Sequence, residues 1–172
     1  MSDTGRWYGL RRYFGLHFDL HAMKSDTDLG THCDRKTLIP MLKLMNPDFV
    51  QTDCKGHGGC TSWFSKIEHA SVPPKLKKDA LKQWREATRD LGLPLHCHYS
   101  GIWDRAAGAK HRSWCVQNSK GKNAGASFGE KMCPLGPYLE KLMIPQLFEL
   151  IDRYKVDGFW IDGDLWAVER YE

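Results

Sequence analysis

One pattern constrains this chain more than any other. A short apolar segment closing on polar and aromatic side chains occurs four times, at residues 13–21, 48–55, 93–100 and 156–164. Each has the length and composition of a strand, with its chemically active groups at the C-terminal end: Asp19 and His21, Asp53 and Lys55, His98 and Tyr99, Asp162 and Asp164. Stretches of helical spacing separate them.

Residues 37–45 carry a helical pattern that stops at Asn46-Pro47. Residues 79–91 place Leu81, Trp84, Ala87, Thr88 and Leu91 near one face and end at Gly92. Residues 138–154 repeat the theme, and Pro145 predicts a kink or a new first turn there. Strand–helix alternation of this kind predicts one α/β domain over residues 1–172, a parallel sheet joined by crossover helices. The stretch 103–137, rich in Gly, Lys, Ser and Asn, reads as a long excursion after the third strand, where α/β enzymes build their sites.

Composition narrows the function. Twenty-five Lys and Arg against 21 Asp and Glu give a net charge of +4, too mild and too scattered for a nucleic-acid footprint. No apolar run is long enough to cross a bilayer. Residues 1–6 lack the apolar core of a signal peptide, so a cytoplasmic location is expected. In that compartment the six cysteines are expected as free thiols, and none is ordered as a C-x-x-C pair.

Seven Trp and six Tyr beside carboxylates suit a carbohydrate, since aromatic faces stack on the apolar side of a sugar ring while acids and imidazoles bind its hydroxyls. The densest segment is 157–166. There Asp162 and Asp164 flank Gly163, with Trp160 and Trp166 on either side. Two residues apart on a strand, these acids share a face about 7 Å apart, a spacing that suits a nucleophile and a hydroxyl binder better than an acid–nucleophile pair. The alternative is that both cap the next helix.

Phe14-Gly15-Leu16, Lys55-Gly56-His57, His98-Tyr99-Ser100 with Trp103-Asp104, and Trp160-Ile161-Asp162-Gly163-Asp164 occur in an order that resembles the α-L-fucosidase-type glycoside hydrolases (family 29-like). The resemblance spans about residues 13–166. It implies a retaining enzyme on a (β/α)8 barrel, of which this chain would form the first four βα units. It also implies Asp162 as nucleophile, with His57, Lys55, Asp164 and either Asp19 or His21 binding sugar hydroxyls. Tyr99, Trp103, Trp160 and Trp166 join the implied substrate site, and no cofactor is called for. The chain departs from the family pattern at Gly56, where the family has a paired His, and at Asp19-Leu20-His21-Ala22, where it has His-Trp-Gly.

A complete barrel of this kind needs about 250 residues. The chain has 172, so a homo-oligomer or a missing C-terminal half is expected to complete it, and the acid/base is unassigned. Glu130, Glu169 and Glu172 are its candidates. Two rival readings remain: a sugar-binding half-barrel without catalysis, and a metal-dependent hydrolase. The latter would use His17, Asp19 and His21, which alternate along the first strand and so share one face, with Asp53, Cys54, His57, His96 and His98 available nearby.

Overall fold

The computed structural model describes residues 14–126 and 129–163. Strand β1 (Gly15–Phe18) leads to helix α1 (Arg35–Met45), β2 (Phe49–Lys55), helix α2 (Ala80–Asp90) and β3 (Leu95–Ser100). The long excursion then holds helix α3 (Arg105–Lys110) and a two-stranded antiparallel ribbon, β4 (Gly125–Ala126) with β5 (Gly129–Glu130). A last helical stretch is α4 (Ile144–Glu149) between two wide π-helical turns, Leu139–Met143 and Leu150–Tyr154, and it leads into β6 (Gly158–Asp162). Pro145 opens α4, because its ring denies the turn behind it a regular backbone bond and that turn widens.

The helix ends follow from side-chain chemistry. Asp34, Asp79 and Asp104 each accept a hydrogen bond from a first-turn N–H, those of Thr37, Lys82 and Ala107. Asn46 closes α1 in the left-handed region at φ 47°, and its N–H bonds the Leu42 carbonyl.

The four principal strands are all parallel and lie in the order β1-β2-β3-β6. Each βα unit therefore adds its strand at the same edge. Helix α1 packs on α2, and α2 packs on the 150–154 turn, so the helices share one face of the sheet. That face holds the core: Val50, Cys54, Leu95, Cys97 and Tyr99 from the strands, and Leu38, Leu42, Leu81, Trp84, Leu142 and Leu150 from the helices. Strand alternation turns His17, Gln51, Asp53, His96, His98, Ser100, Trp160 and Asp162 to the opposite face. The expected α/β sheet with crossover helices is observed, while the first strand is shorter than expected. It ends at Phe18, where pairing with Thr52 stops, so Asp19 and His21 belong to the following coil. All six cysteines are free thiols. Among the described residues, no helix is long and apolar enough to cross a membrane.

Candidate active site

The polar groups gather at the C-terminal ends of the parallel strands, where sheets of this type bind ligands. His98, on β3, is the hub. Its Nδ1 lies 2.6 Å from Asp53 Oδ1 on β2, and its Nε2 lies 3.3 Å from Asp162 Oδ2 on β6. Burial disfavours the charged imidazole, but the two carboxylates outweigh it and raise the His98 pKa above its ordinary value. His98 is thus set to donate to both acids at once.

Asp162 ends β6. Burial pulls its carboxyl upward, but the Gly163 N–H on Oδ1 (2.6 Å), His98 and His57 together hold it below the usual carboxylate range, so it is ionised near neutrality. Gly163 makes this turn with φ +82°, and a Cβ there would stand 2.8 Å from the Trp103 ring. A side chain at this position would be strained twice over.

His57 flanks Asp162 from the β2 loop, its Nε2 3.7 Å from Asp162 Oδ2. The tautomer of His57 follows from its neighbours. Ser100 Oγ donates its proton to the Trp103 carbonyl, so it accepts from His57 Nδ1–H at 2.7 Å. Burial lowers the His57 pKa; Asp162 opposes this, and the neighbouring His21, His98 and Lys55 add to it. Nδ1 is thus the nitrogen that carries the proton when the ring is neutral. His21 stacks on His98 with ring centroids 5.4 Å apart, and its Nε2 lies 2.7 Å from Asp19 Oδ1. Its ring rests on Gly56, where any Cβ would come within 2.5 Å of it. A pocket of about 190 Å³ is lined by His17, Asp19, His21, His98, Trp160 and Asp162. Trp160 stands 58% exposed as its aromatic wall.

Three expected substrate residues are elsewhere. The β2–β3 register shifts between Asp53 and Lys55, and this bulge turns Lys55 to the helix-packed face beside Tyr99. Lys55 is fully buried, donates to Asp104 Oδ2 and Tyr138 Oη (2.8 Å each), and lies over the Tyr99 ring at 4.5 Å. Tyr99 is fully buried too and donates to Gln146. Trp103 is buried behind Gly163, with the Lys131 ammonium 5.3 Å from its ring centroid. None of the three is among the residues lining this pocket. Glu130 pairs with Arg112 and does not line it either. Asp164, Trp166, Glu169 and Glu172 lie outside the described residues.

The α-L-fucosidase family model matches residues 33–172, most of the chain. The chain belongs to the α-L-fucosidase family. Among solved structures, it is similar to the α-L-fucosidase isoenzyme 2 from Paenibacillus thiaminolyticus at TM-score 0.75 and 24% identity, covering 88% of this chain and 23% of that one. It is also similar to a GH29 α-L-fucosidase from Bacteroides thetaiotaomicron, trapped as a covalent intermediate with 2-fluoro-fucosyl fluoride. There the TM-score is 0.59 and the identity 25%, over 81% of this chain and 29% of that one. A hypothetical protein from Ruminiclostridium thermocellum shares the fold at TM-score 0.62 and 13% identity, over 74% of this chain and 68% of that one. No curated protein sequence matches the chain. This fucosidase-family chain thus spans about a quarter of the length of the two fucosidases.

Sequence reasoning about this family member brought Asp162, His57, Asp19, His21 and Trp160 to one site, where the structure also has them. It missed the Asp53–His98–Asp162 chain as a unit, weighing Asp53 as a metal ligand and His98 as a metal ligand or a hydrogen-bonded residue under the site. Their alternation on adjacent strands was the available signal. His17 departs from the expected triad with Asp19 and His21: its Nδ1 accepts from Gln51 across 2.6 Å.

Proposed function

We propose that this chain carries the nucleophile-bearing half of a retaining α-L-fucosidase-type glycoside hydrolase. The observation that carries the reading is Asp162: ionised, at the end of the fourth parallel strand, facing a pocket with two imidazoles beside it and Trp160 across it. In the proposed reaction Asp162 Oδ2 attacks the anomeric carbon as the bond to the leaving oxygen breaks. A carboxylic acid outside the described set protonates that oxygen. Water, deprotonated by the same group, then cleaves the glycosyl ester and releases Asp162. His57 Nε2 accepts a hydroxyl proton, Asp19 and His21 bind further hydroxyls, and Trp160 stacks on the apolar face of the ring.

The same reading makes the sheet the first half of an eight-stranded barrel. Ile144, Phe148 and Ile151 form an exposed apolar stripe at i, i+4, i+7 along the last helical stretch, and among the described residues β1 and β6 are the edge strands of the sheet. A second copy or further polypeptide would pair with both edges, and a cytoplasmic location remains part of the proposal.

The test is incubation with 2-deoxy-2-fluoro-fucosyl fluoride followed by peptide mass spectrometry. Fluoride leaves without an acid, so the unassigned acid/base does not mask the result. An adduct on the Asp162 peptide, absent in Asp162→Asn, is expected. No adduct on a folded chain, or an adduct elsewhere, refutes the nucleophile.

A further inference from the structure

Three side chains that line the pocket, with the buried Asp53 behind them, form a cluster that sugar binding does not explain. One ligand atom each from Asp19, His21, Asp53 and His98 lies within 4.8 Å of the others, although the residues come from the β1 coil, β2 and β3. Asp53 is 2% exposed, yet its Oδ2 has no hydrogen-bond partner among the described residues. A buried carboxylate oxygen without a donor is costly, and a cation relieves that cost as well as a donor does.

We propose that Asp19, His21, Asp53 and His98 form a binding site for a divalent transition cation of zinc type. Two imidazole nitrogens and two carboxylates make an N₂O₂ set whose two negative charges balance the ion, and imidazole ligation selects zinc over calcium or magnesium. Tetrahedral zinc with ligands about 2.1 Å away spaces its donors about 3.4 Å apart. The pairs seen here bracket that value: 2.6 Å for His98 Nδ1 to Asp53 Oδ1, 2.7 Å for His21 Nε2 to Asp19 Oδ1, 3.9 Å for His21 Nε2 to Asp53 Oδ1. Asp53 and His98 are fixed on central strands, whereas Asp19 and His21, more exposed and on coil, supply the adjustment.

The surroundings fit as well. A histidine that binds metal through one ring nitrogen characteristically gives the other N–H to a carboxylate, which fixes ring and tautomer. His98 Nε2 faces Asp162 in this way, and a cation would replace the Nδ1 proton that otherwise goes to Asp53. His17, by contrast, is held by Gln51 and stays outside the set. The site shares Asp19 and His21 with the fucosidase reading and borders its nucleophile, but Asp162 is not among its ligands.

The experiment is competition for zinc between the purified, chelator-treated chain and a chromophoric indicator, with cobalt substitution read by visible absorption. The expected result is one zinc per chain, weakened at least tenfold in His21→Ala and in Asp53→Asn, and a tetrahedral cobalt spectrum lost in both. Circular dichroism confirms folding, and His21→Ala, at a half-exposed position, covers the case in which Asp53→Asn does not fold. No zinc uptake by the folded chain overturns the proposal. So does unchanged affinity in His21→Ala, which would move the ion to another pair such as His69 and His111, whose rings lie 4.8 Å apart. Fluoro-fucosyl labelling of the metal-free chain reads the sugar proposal separately, so either can fail alone.

Discussion

Lys55→Met tests whether this lysine of the family-like motif is a structural ion rather than a sugar ligand. Methionine keeps most of the buried stem and removes the ammonium. The loss strands Asp104, whose side chain is fully buried, opposite a missing charge. Breaking a buried pair from one side costs about 3–5 kcal/mol. Asp104 keeps the Ala107 N–H at 2.7 Å on Oδ1 and the Tyr138 hydroxyl 3.1 Å from Oδ2, so the lower end, about 3 kcal/mol, applies. With a urea slope of about 2 kcal/mol/M, the unfolding midpoint falls by about 1.5 M. An exposed pair would cost about 1 kcal/mol or less. The double variant Lys55→Met/Asp104→Asn keeps the α3 cap and removes the second charge, and should recover at least half of the loss. Urea titration followed by tryptophan fluorescence measures both. A midpoint shift worth under 1 kcal/mol for Lys55→Met, or no recovery in the double variant, would refute the buried-pair argument.

Two further predictions concern groups at and away from the pocket. Glu149 accepts from Trp63 Nε1 (2.9 Å), Ser65 Oγ (2.6 Å) and the Lys66 N–H (2.8 Å), and pairs with Arg153. Burial works against its charge, but these donors hold its pKa below the ordinary value, so its contribution is complete above the usual carboxylate range and lost as pH falls through the depressed pKa. Glu149→Gln should cost about 2 kcal/mol at pH 7 and flatten the acid limb of stability, seen in melts from pH 7 to 3; parallel wild-type and variant curves would contradict this. Trp160→Ala should leave the melting temperature within about 2 °C, since the ring is largely exposed. It should slow fluoro-fucosyl labelling about tenfold if the ring stacks on sugar, and unchanged labelling would remove it from the pocket wall.

Much of the fold was legible because its signals are local. Strand-length apolar segments, the helical face of residues 79–91 and the Pro145 break are written within a few residues each. The carboxylate at the fourth strand end and its aromatic neighbour were legible for the same reason.

What stayed hidden depends on contacts across long separations. The bulge that turns Lys55 from rim to core is stabilised by Asp104 and Tyr138, 49 and 83 residues away. His21 reaches the site from coil rather than strand, seated on the bare backbone of Gly56. The Asp53–His98–Asp162 chain exists only because register pairs β2 with β3 and β3 with β6. Sequence period fixes which face a side chain takes while a strand stays regular. Register, bulges and the partner waiting across the sheet are set by the packing of the whole domain, and they decided which polar groups became the site and which became its foundation.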